Sequence, residues 1–399
     1  MNTISLFRKA SIAVITIIIL ISSYVKAQTP SIADSLDGRV NTINTAVPFL
    51  RIAPDARSAA IGDAGLALSP DANAIFWNGA KLPFAQQDLA LSATYTPWLR
   101  ELVNDIYLAT LGGYYKVDPN SAISFGLRYF SLGSITFTNA SGQTLGDFNP
   151  KEFAIDAGYS RKLTDHFGTG LNLGFIYSNL AAGFAVSNVP IKAGTAVKAD
   201  ISFFYTHNAQ FGTTKGSYNI AATVANIGNK ITYTESAENK DFIPTNLGLG
   251  GDVSFDFNEY NKLSLDLNFN KLLVPTPDTS GNFRNVGVIS GIFKSFGDAP
   301  GGFSEEMQEI DVQGGAEYWY KSLFSVRAGY FFESKNKGGR QFLTAGLGIK
   351  YNVFGLNFSY LVPTSSQKNP LDNTLRFSLL FDFNNLKGAQ QETPPSEQD

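Results

Sequence analysis

The chain has 399 residues, no cysteine, two histidines and a formal net charge of −3. The lack of cysteine excludes a disulfide framework, a thiolate nucleophile and a cysteine-ligated metal. The small net charge gives no electrostatic basis for nucleic-acid binding. His166 and His207 lie far apart in the sequence, and we find no P-loop, nucleophile elbow or metal-spaced histidine pair. The sequence therefore predicts neither an enzyme nor a cofactor.

Residues 1–27 have the pattern of a secretory signal peptide. Arg8 and Lys9 precede an isoleucine-rich apolar run, Ser11–Ile21, and a small-residue cleavage site ends at Ala27. This run is shorter than the ~20 residues that a membrane-spanning helix needs, so we expect cleavage, with an uncleaved anchor as the alternative. Residues 28–47 are polar, and we expect them to form a flexible periplasmic arm.

Residues 48–86 predict a small helical plug. One helix is expected over Asp55–Leu68, and a second begins at Ser69-Pro70-Asp71, where a capping residue precedes a proline and an acid. The many alanines and glycines suit close packing inside a ring of strands. The plug residues that we single out are Arg51, Asp55, Arg57, Asp63, Trp77 and Asn78.

Residues 87–384 alternate between apolar and polar side chains, the period of a β-strand. The clearest run is Lys262–Asn270, in which Leu265 falls on an apolar face and Asp266 on a polar one. Similar runs predict fourteen strands, which start near residues 88, 105, 121, 151, 166, 195, 216, 246, 262, 310, 322, 341, 353 and 375.

The connections between these strands alternate between short and long, as in outer-membrane barrels with short periplasmic turns and long outer loops. The predicted fold is thus an all-β membrane protein, a 14-stranded antiparallel outer-membrane β-barrel with a small N-terminal helical plug. An even number of strands would place both termini in the periplasm, and the polar tail, residues 385–399, should be disordered. A soluble β-sandwich is the alternative, but it does not explain the alternation of loops.

Charged residues of both signs fall on the predicted inward face of the strands. We expect a salt-linked lumen that ties the plug to the wall, because a selective path for ions or solutes would favour one sign. These residues are Arg128, Asp156, Lys198, Asp200, Asp252, Asp266, Arg327, Lys350, Arg376 and Asp382.

Four stretches carry a resemblance to a known family: Phe49–Arg57, Ile61–Gly65, Asp71–Asn78 and Ala93–Leu99. They resemble the FadL-related barrels and, more narrowly, the PorV family of the type IX secretion system of Bacteroidota. FadL-type proteins tend to have Asn-Pro-Ala where this chain has Asn78-Gly79-Ala80. That difference weakens the interpretation as a channel for hydrophobic substrates.

The resemblance implies an adaptor in the cell outer membrane, surrounded by its lipids. PorV-like proteins collect cargo from the large translocon barrel, called SprA or Sov, and recognise the cargo's C-terminal signal domain. They pass the cargo to the PorU sortase complex. Two alternatives remain open at this point, a FadL-type uptake channel and a purely structural barrel in an envelope complex.

The predicted long loops contain apolar residues, which mark contact sites when they are exposed. The alternative is that these loops fold inward and cap the barrel. The candidate partner- and cargo-binding residues are Phe148 in the first of these loops, Phe184, Val186 and Ile191 in the second, and Phe296 and Phe303 in the longest.

Overall fold

The computed structural model describes residues 41–98, 105–138, 141–186, 189–235, 240–277, 282–365 and 373–383. The predicted signal peptide, most of the predicted arm and the predicted C-terminal tail lie outside these ranges.

Fourteen antiparallel strands in the described residues close into a barrel in which each strand pairs with its neighbours and the first pairs with the last. This confirms the predicted barrel and its strand number. The barrel strands are β1 (Leu89–Pro97), β2 (Ile106–Asp118), β3 (Ser121–Leu132), β6 (Lys151–Lys162), β7 (Phe167–Asn179), β10 (Gly194–Phe211), β11 (Thr214–Gly228), β12 (Asn246–Asp256), β13 (Asn261–Leu272), β14 (Ile310–Tyr320), β15 (Phe324–Phe332), β16 (Gln341–Tyr351), β17 (Phe354–Pro363) and β18 (Leu375–Phe383). Two small hairpins in the loops are formed by β4 (Ile135–Thr138) with β5 (Thr144–Phe148) and by β8 (Ala185–Val186) with β9 (Val189–Pro190).

The period-two pattern sets the register of the wall. In β13, Leu265 and Leu267 are exposed on the outer surface, whereas Asp266 and Asn268 are buried on the inner one. Asp266 pairs with the inward-facing Asp252 of β12. Because successive side chains of a strand point to opposite faces, one sequence supplies both an apolar outer surface and a polar lumen.

Short and long connections alternate around the barrel and define its two ends. We call the end with connections 119–120, 163–166, 212–213, 257–260, 321–323 and 352–353 the turn end, and the opposite end the loop end. One predicted connection, His207–Lys215, is shorter than expected. β10 and β11 extend into it, and the chain reverses at Gly212, whose φ of 65° is a left-handed conformation.

The plug is less helical than predicted. In place of the first predicted helix, the structure has a single turn, α1 (Ala56–Ala59), because Gly62 and Asp63 adopt positive φ angles of 74° and 61°. The remaining helices in the described residues are 3₁₀ segments and two short α-helices in the loops: η1 (Pro48–Arg51), η2 (Ala74–Phe76), η3 (Gly79–Phe84), η4 (Asn282–Asn285), α2 (Val288–Lys294), α3 (Phe303–Gln308) and η5 (Lys335–Lys337). Within the described ranges, no helix has the length and apolar character to cross a membrane.

The plug runs through the lumen from the loop end to the turn end. Phe49 and Leu50 pack among wall residues near the loop end, and Leu82 and Ala85 among residues near the turn end. In the described part of the predicted arm, Ile43 and Val47 are buried with apolar residues of the loop end.

Candidate functional site

One direct link between plug and wall is an ion pair that Arg57 makes across the lumen. Its Nε and Nη2 donate to the two carboxylate oxygens of Glu317 on β14, at 3.0 and 2.7 Å. The same carboxylate accepts a 2.6 Å bond from Nε of Arg327 on β15. Asp71 of the plug accepts from Arg57 Nη1 at 3.1 Å. Glu317 was not predicted as a site residue, although its inward position in the alternating pattern of β14 was a usable signal.

Asp55, Trp77 and Asn78 hold the plug in shape. One Asp55 oxygen caps α1 by accepting from the Ser58 amide at 2.8 Å, and the other accepts from Trp77 Nε1 at 2.7 Å. The Asn78 side chain caps η3 through the Ala80 amide at 3.0 Å. It also donates to a wall carbonyl, that of Phe203, at 3.0 Å.

A second group of charges links the plug to the wall near the loop end. Arg51 Nη2 lies 3.2 Å from Asp311 and 3.6 Å from Glu333, which in turn pairs with Arg340 at 2.8 Å. Asp63 is buried nearby, and its Oδ1 has no hydrogen-bond partner within the part of the chain that the structure describes.

The inward-facing charges predicted from sequence all lie on the inner wall, and many of them are paired. Lys198 bridges Asp156 at 2.7 Å and Asp200 at 3.1 Å, and Lys350 pairs with Asp382 at 2.6 Å. Others differ from the salt-linked prediction. Arg128 donates to the carbonyls of Leu50 and Phe76, whereas Asp252, Asp266 and Arg376 make no ion pair within the described ranges.

A cavity of about 120 Å³ remains between plug and wall. Its lining carries side chains of both charges, including Arg128, Lys198, Asp63 and Asp156. Balanced charge gives no preference for a cation or an anion, so the lumen has the character of a plugged interior rather than of a selective path.

Two of the predicted partner-binding residues meet in an aromatic cluster at the loop end, formed by Phe137, Phe148 and Phe184. Phe137 stacks on Phe184 with 4.0 Å between ring centroids, and Phe148 meets Phe184 edge-on at 5.8 Å. The cluster joins two loops, since Phe137 and Phe148 belong to the β4–β5 hairpin. Ile191 donates its amide to the Phe184 carbonyl at 2.9 Å. Val186 lies in β8, and its side chain is outside the described atoms.

The other two predicted residues, Phe296 and Phe303, belong to a separate surface that we call the two-helix patch. On α2, Ile289 and Phe293 are four residues apart and so share one face, and Phe296 follows directly after the capping residue Ser295. Phe303 and Met307, also four residues apart, share one face of α3. All five side chains are exposed, Phe293 at 73% and Phe303 at 80%. These side chains do not fold inward to cap the barrel.

Buried charges hold this segment on the barrel rim. Glu306 of α3 and Glu309, which caps its C-terminal end, both contact Lys271 of β13, the former at 3.0 Å. Glu309 also lies 2.9 Å from Lys337. Burial raises the pKa of the nearby Asp298, which accepts from the Thr276 amide at 3.3 Å.

The two histidines, which lie far apart in the sequence, are side by side at the turn end with 4.8 Å between their ring centroids. His166 Nδ1 is 3.0 Å from the Thr206 carbonyl oxygen. No group of three or more potential metal ligands occurs in the ranges that the structure describes.

Comparison with known proteins gives one family. The family model described as type IX secretion system protein PorV matches residues 35–279. Similar solved structures include the toluene transporter TbuX of Ralstonia pickettii, with 11% identity, a TM-score of 0.46 and coverage of 83% of this chain and 98% of that one. A monoaromatic hydrocarbon channel, CymD, has 13% identity, a TM-score of 0.47 and coverage of 83% and 98%. A FadL homologue of Pseudomonas aeruginosa has 12% identity, a TM-score of 0.43 and coverage of 86% and 100%. No curated protein sequence matches the chain.

Proposed function

The chain belongs to the PorV family of the type IX secretion system, and we propose that it is the adaptor that receives cargo at the translocon. In this proposal the loop end binds the C-terminal signal domain of the cargo beside the translocon barrel. The adaptor then delivers the cargo to the sortase and attachment complex. The family is one of outer-membrane secretion components, not of enzymes.

The observation that carries the proposal is the contrast between a filled lumen and an apolar loop end. The plug is bound to the wall by buried ion pairs such as Arg57–Glu317. At the loop end, the half-buried rings of Phe137, Phe148 and Phe184 join two loops beside the exposed Leu145. A protein that works by binding partners needs such a surface and no open path. A few aromatic anchors also give the moderate affinity that hand-over between two partners requires.

A FadL-type uptake channel is the competing proposal, and a side opening in the wall would favour it. In the described residues the ladder is continuous, since every barrel strand pairs with both neighbours and β18 closes on β1. The few register shifts in the ladder are local bulges, such as the one between Ala199 and Ile201. These features support the adaptor over lateral uptake.

We further propose that the loop end faces the outside of the cell and the turn end the periplasm. Because the chain has no native cysteine, single cysteines can report the orientation without background. A membrane-impermeant maleimide should label Leu145→Cys at the loop end in intact cells. Asn120→Cys in a short turn should react only after the outer membrane is permeabilised. The reverse pattern would refute this orientation.

The adaptor proposal predicts that the aromatic cluster is needed for secretion. Replacing Phe148 and Phe184 together with serine removes two of the three rings that join the loops. The barrel should still fold, because these rings lie outside its strand ladder. Cargo should then accumulate inside the cell or keep its signal domain uncleaved, as immunoblots of cell and medium fractions would show.

The matched control is Leu145→Ser. Leu145 lies in the same strand as Phe148, β5, and is an exposed apolar residue, but it takes no part in the ring contacts. Secretion should stay normal in Leu145→Ser. The permeability of the outer membrane to small solutes should be unchanged both in this control and in the double serine variant. If the variant with Phe148→Ser and Phe184→Ser secretes normally but loses uptake of a hydrophobic nutrient, the result would favour the FadL-type uptake channel over the adaptor.

A further inference from the structure

We propose that the two-helix patch is seated in the outer leaflet of the membrane, with its apolar side chains at the boundary between headgroups and acyl chains. The patch consists of Ile289, Phe293, Phe296, Phe303 and Met307. This assigns a lipid contact to a loop of the barrel and so extends the membrane surface beyond the strands.

The polarity of α3 is inverted relative to a helix on a water-soluble surface. Glu306 and Glu309, at its C-terminal end, are buried against the protein, where Lys271 and Lys337 neutralise them. Phe303, at its start, is 80% exposed. A helix in water turns its apolar stripe to the core and its charges to solvent. The opposite arrangement fits a helix whose surroundings are apolar.

The segment is attached to the lipid side of the wall. Lys271 has the same parity in β13 as Leu265, Leu267 and Phe269, which are all exposed on the outer face. Glu306 of α3 reaches this outward-pointing lysine at 3.0 Å, so α3 is tied to the outer side of the rim at β13. Glu309, which follows α3, lines a small cavity with Arg51 and Asp311 on the inner side. The link through Glu306 therefore places α3 next to the apolar band of the barrel.

The α2 helix is fixed from beneath by a close contact. A Cβ added to Gly291 would lie 3.1 Å from Pro275 and 3.2 Å from Phe242, so the barrel side of α2 has no free space. Ile289 and Phe293 lie on the opposite side of the helix and are exposed. The apolar face is thus held away from the protein by packing.

The charge around the patch suits anionic headgroups. Lys294 on α2 and Lys335 on η5 are exposed, and neither makes an ion pair with the described residues. The acidic residues of α3 are directed toward Lys271 and Lys337 instead. Lysines at the edge of an apolar surface extend their charge toward headgroups while their stems stay with the acyl chains.

This inference is independent of cargo binding, and it competes with the sequence-based prediction that Phe296 and Phe303 contact a protein partner. It leaves the aromatic cluster as the partner surface. A barrel in lipid without any secretion partner is sufficient to test it, so its failure would not bear on the adaptor proposal.

The test measures the depth of single labelled cysteines in nanodiscs. Phe293→Cys and Phe303→Cys are labelled with an environment-sensitive fluorophore, and doxyl-labelled phosphatidylcholine serves as quencher. Leu265→Cys on the lipid-facing wall and Leu145→Cys in the β4–β5 hairpin are the two references. Heat-dependent gel migration shows that each variant is folded.

Labels at 293 and 303 should be quenched several-fold more than the label at 145 and should emit at shorter wavelength. In nanodiscs that contain phosphatidylglycerol, Lys294→Ser with Lys335→Ser should reduce the quenching at 303. Quenching no greater than at 145 would overturn the proposal. Labels that stay water-exposed in nanodiscs but are shielded when solubilised translocon is added would assign the patch to a protein partner, which also overturns it.

Discussion

Glu317→Gln should be among the most destabilising single changes in the barrel, lowering the free energy of unfolding by ~3–5 kcal/mol. Glu317 is the carboxylate between two buried guanidinium groups, Arg57 of the plug and Arg327 of the wall. Glutamine keeps the shape but leaves both cations without their shared anion. Arg327 is fully buried, so water cannot replace the lost charge. Urea unfolding of the barrel in lipid bilayers would measure the change.

The control is Glu259→Gln, which removes an exposed carboxylate in a short turn and should change stability by less than ~0.5 kcal/mol. A triple variant, Arg57→Met with Glu317→Leu and Arg327→Met, tests the cause. Apolar replacement of a whole buried charge group is often neutral, so the triple variant should recover most of the loss. Equal stability of Glu317→Gln and Glu259→Gln would show that the group does not hold the plug.

The barrel could be predicted from sequence because each wall residue meets one of two contrasting surroundings. Leu265 faces lipid and Asp266 faces the lumen, so the alternation in the sequence repeats the alternation in space. The positions of the turns follow from the same pattern, because the alternation of apolar and polar residues is interrupted wherever the chain reverses between two strands. Only local information is needed, and this explains why the starts of the strands agree with the prediction to within a few residues.

The plug and the candidate site depend on contacts that sequence order does not show. Arg57 and Glu317 are 260 residues apart, and Phe137 stacks on a residue of another loop. The long helix expected over Asp55–Leu68 is absent because the wall, not helix propensity, sets the path of this segment. Gly62 turns back where its amide donates to Thr344 of β16 at 2.9 Å. No local pattern indicates that partner.

The backbone of Ile61 and Gly62 also packs against Gly329 of β15, and this contact predicts that Gly329→Val will displace the plug. A Cβ on Gly329 would lie 2.2 Å from the Gly62 nitrogen and 2.2 Å from the Ile61 carbonyl carbon, both of them backbone atoms of the plug. A valine therefore cannot be accommodated by a side-chain rotation. Overpacking costs ~1–3 kcal/mol where neighbours can shift, and more where they are fixed. Thr344, which also donates to the Ala60 carbonyl at 3.0 Å, would lose its contacts as the segment moves.

Planar-bilayer recording measures the effect as ion conductance. The parent barrel should conduct little, because the plug fills its lumen. Conductance should rise once residues 60–63 leave the wall. Gly329→Val should show frequent open bursts and a lower free energy of unfolding than the parent. Gly251→Val is the matched control: it is also a wall glycine, but the one neighbouring atom within reach of its added Cβ lies 4.0 Å away. That variant should stay closed and stable, since its side chain points outward to lipid. If Gly329→Val also stayed closed with unchanged stability, the plug would not rest on β15 at this glycine.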